Sequence, residues 1–201
     1  MRVRDRRDQL IDTTLSLCIR CGYEATTIEQ IAAAAEQTPH DFACYFATKD
    51  AALMAVIDAV LQAAATALRH VDPAESPEQA LLIAHTEVLI AITDGRGVIT
   101  RDRMLAIAQI FSAHPSLRRQ ASLSRKRIMT DALADRMGVA AGNQRVRQAV
   151  TKWSAVAASA YLERYRMAVN YDPRQDDRLE DRATANLADT FAEVMGQALH
   201  K

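Results

Sequence analysis

The sequence predicts an all-α protein of about nine helices, because three observations favour this fold class. Apolar residues recur at helical spacing in nearly every window of the chain. Only ten of the 201 residues are Phe, Tyr or Trp, and alanine is frequent, which suits close-packed helices better than sheets. No segment shows a convincing strand pattern. We therefore expect a three-helix domain over residues 1–50 and a larger helical domain over residues 51–201.

The first two helices carry start and stop signals. The first is predicted over about residues 4–21 and ends at Gly22, which favours a helix C-terminus. The second begins after Thr27, which forms a capping-box pattern with Gln30. The predicted buried stripe of the first helix consists of Leu10, Thr14, Leu17, Cys18 and Cys21.

The third helix is predicted within the segment EQTPHDFACYFATKD, residues 36–50. Thr38 is its expected N-cap, Pro39 its first residue, and Asp41 lies where a carboxylate can reach back to the cap. An apolar edge at positions i, i+3 and i+4 is expected to anchor it. That edge consists of Phe42, Tyr45 and Phe46.

Six longer helices are predicted after this segment, each bounded by cap residues, glycine or proline. Asp58 and Gln62 interrupt the longest apolar run, so we expect it to be too polar to cross a bilayer. The charged N-terminus has no signal-peptide pattern, and a cytoplasmic protein is expected. The six helices cover about residues 48–70, 76–93, 98–112, 115–137, 143–170 and 178–200.

The chain is formally neutral, with 25 Lys and Arg against 25 Asp and Glu. Any nucleic-acid contact must therefore arise from local placement of charge. Residues 1–50 contain six basic and eight acidic residues, a net charge of −2, yet four of the six basic residues lie within positions 2–7. We expect an N-terminal arm containing Arg4 and Arg6 to contact phosphates or the minor groove.

The second and third predicted helices and their four-residue connection form a candidate helix-turn-helix unit. The segment GYEATTIEQIAAAAEQTPHDFACYFATKDAAL, residues 22–53, closely resembles the DNA-binding signature of the TetR family of bacterial transcriptional regulators. The matching features are a Gly-aromatic pair, paired threonines, Ile-Ala in the second helix, and Tyr-Phe followed by Thr-Lys-Asp. The resemblance covers about residues 10–57. Beyond them only the all-helical architecture is similar.

The resemblance implies roles for individual residues. It assigns phosphate or DNA-backbone contacts to Thr27, Tyr45 and Lys49. His40 offers a donor and an acceptor to a base edge, and Ala43 a methyl group to thymine. The residues implied to face the major groove are Thr38, Pro39, His40, Ala43 and Cys44.

Three positions depart from the family pattern. The family usually has Gly, a β-branched residue and an aromatic residue where this chain has Glu36, Gln37 and Ala43. Loss of the aromatic side chain removes one DNA contact, and a Glu in the turn does not favour approach to DNA. Operator affinity and sequence preference are therefore not transferred from the family.

Three cysteines allow two interpretations. Cys18 and Cys21 have metal-ligand spacing, and Cys44 with His40 would complete four ligands. We favour reduced thiols, with the first two packed in the helical core, because no second closely spaced pair occurs. No metal and no cofactor are predicted.

The region after the helix-turn-helix unit holds candidate effector contacts. Met104, Phe111 and Trp153 are expected in the core, where they would line an apolar pocket. Residues 116–129 carry five basic residues and no acid, which indicates either a solvated helix face or a surface for an anionic effector such as a coenzyme A thioester. His85 and His114 are interpreted as ordinary histidines. The five basic residues are Arg118, Arg119, Arg125, Lys126 and Arg127.

Together these features predict a ligand-responsive repressor. It would bind a pseudo-palindromic operator as a homodimer paired through its last two helices, and a small apolar or fatty acyl effector would release it. The alternative is a helical ligand-binding or interaction protein that has lost specific operator binding. A small helical enzyme is the third class, but the sequence contains no Gly-rich phosphate loop, Gly-x-Ser-x-Gly or His-Glu-x-x-His motif.

Overall fold

The computed structural model describes residues 6–169, and the side-chain environments of residues 6–155 and 157. Eight helices and no strand occur in this part of the chain. The predicted helix over about residues 178–200 lies outside it. The eight helices are α1 (Arg6–Cys21), α2 (Ile28–Ala34), α3 (Pro39–Tyr45), α4 (Lys49–Leu68), α5 (Pro77–Thr93), α6 (Arg101–Ala113), α7 (Pro115–Met137) and α8 (Gln144–Val169).

Side-chain caps set most of the helix starts, as the sequence predicts. At each of α2 to α6 a Ser or Thr hydroxyl accepts a hydrogen bond from the backbone N–H three residues later. Helix α6 begins at Arg101 rather than near residue 98, because Thr100 is the residue that caps it. The capping residues are Thr27, Thr38, Thr48, Ser76 and Thr100.

Helix α4 is the central element of the fold. It packs against α1 and α6, and most extensively against α5 and α7. By length and composition the segment Pro39–Leu68 is apolar enough to cross a membrane, so our expectation that this region is too polar was wrong. Half of its most apolar window is buried inside the protein, and α3 and α4 are separate helices. The apolar composition is thus accounted for by a core position.

One hydrophobic core joins the N-terminal helices to the rest of the described chain. It extends from Leu10 in α1 through Phe42 in α3 to Trp153 in α8, all fully buried. Each such side chain contributes about 1.5–3 kcal/mol through burial. Helix α4 starts at the predicted domain boundary and contacts helices on both sides of it.

The predicted stripe of α1 is wrong at its last position. Leu10, Thr14, Leu17 and Cys18 are buried, but Cys21 is exposed. Cys18 is the last buried residue of α1, so packing ends one turn earlier than the spacing predicts. The hydroxyl of Thr14 donates to the carbonyl of Leu10 at 2.7 Å, which satisfies this polar group inside the core.

Candidate DNA interface and effector cavity

Helix α3 has one buried side and one exposed side. Phe42 and Phe46 pack into the core with their ring centroids 5.6 Å apart. Tyr45 is 42% exposed, so it does not belong to the anchoring edge that the spacing predicts. It lies on the outer face, where the family resemblance implies a DNA contact. The exposed residues of α3 are Pro39, His40, Ala43, Cys44 and Tyr45.

Capping boxes fix the starts of both helices of the unit. The Thr27 N–H donates to the Gln30 side chain at 3.0 Å, and the Thr38 N–H donates to the Asp41 carboxylate at 2.9 Å. The reciprocal bonds to the threonine hydroxyls are 3.3 and 3.1 Å long. The Thr38 side chain, followed by its backbone N–H, lowers the pKa of Asp41. Asp41 therefore has a structural role, as predicted, and stays ionised at neutral pH.

Glu36 has a left-handed backbone conformation, with φ of +56°. The Gln37 N–H donates to Ala32 O at 2.8 Å and the Glu36 N–H donates to Ala33 O at 3.1 Å. This pair of bonds is a Schellman motif, in which the residue after the C-cap usually is glycine. The exposed Glu36 side chain thus occupies the turn position where the family has glycine, and the backbone geometry explains that preference.

Lys49 holds the start of α4 against the loop between α1 and α2. Its ammonium group donates to the carbonyl of Tyr23, donates to Thr26 O at 2.8 Å, and lies 4.0 Å from the centroid of the Tyr23 ring. An ammonium group has three donors, so two are already used. The prediction that Lys49 contacts phosphate must therefore be restricted to its remaining donor.

The described part of the N-terminal arm lies beside α3. The Arg6 side chain is 70% exposed and lies 3.9 Å from the Asp41 carboxylate. The Arg7 guanidinium lies over the Phe46 ring, 5.3 Å from its centroid. Arg4 lies outside the described residues. These contacts place Arg6 next to the first turn of the candidate reading helix.

A cavity of about 110 Å³ lies among α4, α6 and α7, with a wall from α5. Met104 and Phe111 line it, and their role as effector contacts stays a prediction. Trp153 does not line it. The Trp153 ring is fully buried behind His85, with centroids 5.2 Å apart in an edge-on arrangement, and His85 is the residue that faces the cavity. Sequence spacing identified a core position here but not which layer of the core it occupies.

The five basic residues of α7 divide into two groups. Arg119, Lys126 and Arg127 are exposed, as expected for a solvated face. Arg118 and Arg125 line the cavity instead, and Arg125 is 8% exposed. Burial, followed by the charge of Arg125, lowers the pKa of His85 to about 3, so this imidazole is neutral at physiological pH.

A polar junction connects the helix-turn-helix unit to α6 and α7. Tyr23 donates to the Asp50 carboxylate, which accepts a second bond from Gln120 at 2.9 Å. Burial, followed by this bond to Asp50, raises the pKa of Tyr23. The His114 ring, between α6 and α7, lies 4.5 Å from the Tyr23 ring. Asp50 therefore links the two sides of this junction. The sequence predicted only that Asp50 lies at a helix start.

Arg103 forms a second connection between the two regions. Its guanidinium lies 2.7 Å from Asp12 and 3.3 Å from Asp8, both in α1. The bond to Asp12 is the main cause of the raised pKa of Arg103. Sequence reasoning missed both connections, because the partners are up to 95 positions apart and carry no local pattern.

The cysteine pattern does not assemble a metal site within residues 6–169, where no three His, Cys, Asp or Glu side chains come together. Cys18 is buried, while Cys21 and Cys44 are exposed on different helices. Burial raises the pKa of the Cys18 thiol, which favours a neutral core residue over a thiolate ligand.

Solved structures of known proteins share this architecture. The fatty acid degradation regulator FadR from Bacillus halodurans aligns with a TM-score of 0.57 and 16% identity, over 98% of this chain and 97% of its own. Thermus thermophilus FadR, a TetR-family repressor solved with lauroyl-CoA, aligns with a TM-score of 0.54 and 18% identity, over 96% and 93%. The chain has the fold of the TetR-family regulators. No protein-family model matches it.

Sequence similarity to a curated regulator covers part of the chain. The HTH-type transcriptional regulator TcmR from Streptomyces glaucescens is 40% identical over 94 residues. This match spans 47% of the present chain and 42% of the relative, so less than half of each protein is covered. These relatives are named regulators or a repressor, and none is named an enzyme.

Proposed function

We propose that this chain is a ligand-responsive transcriptional repressor of the bacterial cytoplasm. The observation that carries the proposal is the exposed face of α3, held by two capping boxes within a TetR-family fold. His40, Ala43 and Cys44 lie on that face, while Phe42 anchors the opposite side. A short capped helix presented in this way has the geometry that enters a major groove.

For the protein to recognise an operator in the proposed way, it must form a homodimer. Two copies paired through their last two helices would present two reading helices about 34–36 Å apart, one turn of DNA, to a pseudo-palindromic site. The first of these pairing helices is α8, and the second falls outside the described residues. Thr27 and Tyr45, both exposed, would contact the phosphates on either side of the groove.

Release would follow binding of a small apolar or acyl-type effector in the cavity lined by Met104 and Phe111. The lauroyl-CoA complex of the Thermus repressor supports the general class of ligand. Linkage requires that an effector which weakens operator binding is itself bound more weakly, by the same factor, when the operator is present.

Fluorescence anisotropy with labelled duplexes from around its own gene tests the proposal. We expect saturable, salt-sensitive binding that specific DNA competes away and scrambled DNA does not. His40→Ala should lower specific affinity about tenfold, the order of one lost base contact, and leave non-specific affinity unchanged. Arg69→Ala removes an exposed charge at the end of α4 and serves as the matched control. Equal affinity for all sequences would contradict a specific repressor.

One observation favours the alternative, a helical ligand-binding or interaction protein without specific operator binding. Helix α3, with the sequence PHDFACY, contains no Lys or Arg, and Lys49 already binds two carbonyls. In that case binding to DNA would be weak and equal on all duplexes, and deletion of the N-terminal arm would have no effect on sequence preference. The anisotropy titration distinguishes the two functions directly.

A further inference from the structure

The helix-turn-helix unit carries little positive charge of its own. Over residues 22–50 the only Lys or Arg is Lys49, against five Asp and Glu, a net charge of −4. Lys49 already donates to two carbonyls. Because duplex DNA is held largely through its phosphates, a DNA-binding face needs cations from outside this unit. The first turn of α1 brings such cations, since Arg6 and Arg7 both contact residues of the α3 segment.

Two glutamine side chains hold the first turn of α1 against the turn between α2 and α3. The Gln37 amide donates to Arg6 O at 3.3 Å, across 31 positions of the sequence. The Gln9 amide donates at 3.0 Å to the carbonyl of Ala35, the C-cap residue of α2. The two bonds run in opposite directions between the same two segments. Together they restrain both the distance and the orientation of the start of α1.

The Arg6 side chain is directed toward α3 and is open to solvent. It is 70% exposed and lies 3.9 Å from one carboxylate oxygen of Asp41, in the first turn of α3. The other oxygen of Asp41 accepts the capping bonds from Thr38. An exposed ion pair of this kind contributes little free energy, and a guanidinium group has five N–H donors. Arg6 can therefore bind a phosphate without losing its position beside α3.

The environment of Gln37 is not that of a stabilising residue. Its amide oxygen is buried and has no hydrogen-bond partner within the described part of the chain, and a buried acceptor without a donor costs free energy. The bond to Arg6 O is exposed, where water replaces it at little cost. The β-branched residue that is usual here in the TetR family has no polar atom to bury if it is Val or Ile. A residue kept at a cost to stability is expected at functional positions.

We propose that Gln37 is a positioning residue for DNA binding, which holds the first turn of α1 so that the Arg6 guanidinium meets a backbone phosphate beside α3. Gln9 assists by fixing the same turn to the end of α2. This inference rests on the proposed function, since it requires that DNA lies against α3. It explains how a reading helix without Lys or Arg gains a phosphate contact. Arg6 makes the contact, and Gln37 acts through Arg6.

A neutral substitution that changes the salt dependence of DNA binding tests the proposal. Gln37→Val introduces the residue type usual in the family and leaves the net charge unchanged. In fluorescence anisotropy with a labelled duplex, we expect Gln37→Val and Arg6→Gln each to reduce the slope of log K against log salt concentration by about 0.9, the value for one phosphate contact. Each should weaken binding at low salt about tenfold. Gln62→Val, at an exposed position of α4, is the matched control and should change neither quantity. An unchanged slope in Gln37→Val overturns the proposal.

The double variant separates a role through Arg6 from a general structural effect. If Gln37 acts through Arg6, Gln37→Val should cause no further loss of slope or affinity in the Arg6→Gln background. Equal losses in both backgrounds would show that Gln37 acts independently of Arg6 and would refute the positioning role.

Thermal unfolding supplies a second readout. Because Gln37→Val removes a buried, unpaired oxygen, its Tm should equal or exceed that of wild type while DNA binding weakens. A lower Tm together with weaker binding would favour a merely structural role. If Gln37→Val does not fold, Gln37→Met keeps the length of the side chain without the donor, and it should give the same loss of slope.

Failure of this inference differs from failure of the proposed function, because phosphate contacts also form on non-specific DNA. The titrations therefore use a duplex from around the gene and a scrambled duplex. Specific binding by wild type, with an unchanged slope in Gln37→Val, refutes the positioning role alone. Equal binding to both duplexes, with a slope that Gln37→Val reduces, supports the positioning role and refutes the specific repressor. Absence of binding to either duplex refutes both.

Discussion

Replacing Glu36 with glycine should stabilise the protein. Glu36 adopts φ of +56° in the Schellman motif that ends α2, and its side chain is exposed. A side chain with a Cβ atom costs about 1–2 kcal/mol in this left-handed conformation, whereas glycine adopts it readily. The substitution leaves the two backbone hydrogen bonds of the turn intact, since both use main-chain atoms.

The net gain is smaller than the conformational cost, because glycine also makes the unfolded chain more flexible. That entropy opposes the gain by about 0.5–1 kcal/mol, which leaves an expected stabilisation of about 1 kcal/mol. In a chain of about 200 residues this corresponds to a rise in Tm of about 2–4 °C.

Urea denaturation followed by far-UV circular dichroism, at one protein concentration, measures this change. Glu36→Gln is the matched control, because it removes the charge but keeps a Cβ atom at the same φ. We expect its free energy of unfolding to stay within about 0.5 kcal/mol of wild type. If Glu36→Gln gains as much stability as Glu36→Gly, charge rather than backbone conformation is responsible and the reasoning is refuted.

Three further predictions concern the core, the connection made by Arg103, and the N-terminal arm. The pKa of His85 is about 3 in the folded protein, against 6.5 for an ordinary solvated histidine, so only the unfolded state takes up a proton between these pH values. The free energy of unfolding should therefore fall by about 2 kcal/mol from pH 7.5 to pH 5 in urea titrations. His85→Gln should not show this loss, and a wild-type protein without it would contradict the prediction. Arg103→Met should lower the free energy of unfolding by about 1–3 kcal/mol, because it breaks the bonds of Arg103 to α1. Arg101→Met, at an exposed position at the start of the same helix, should leave the stability nearly unchanged. Equal losses in the two variants would exclude a specific role for Arg103. Deletion of residues 1–7 should weaken DNA binding and reduce its salt dependence in anisotropy, and unchanged binding would show that the arm makes no phosphate contacts.

Local chemistry explains why much of the fold could be predicted. Thr27, Thr38 and Pro39 set helix boundaries through bonds and dihedral angles that lie within three residues, so their effect is readable in the sequence. The face of α3 was predicted less well. Tyr45 fits the apolar spacing but is exposed, while the neighbouring Phe42 and Phe46 are buried.

The sequence by itself determined the all-helical class, the capped helix-turn-helix unit and the resemblance to TetR-family regulators. Only the tertiary structure decided which basic residues of α7 face the cavity, that Lys49 binds the Tyr23 loop, and that Asp50 joins α7. These properties depend on which helices become neighbours, and residues such as Arg103 and Asp8 are 95 positions apart. Contacts over such separations arise from packing of whole helices around α4, and no local pattern encodes them.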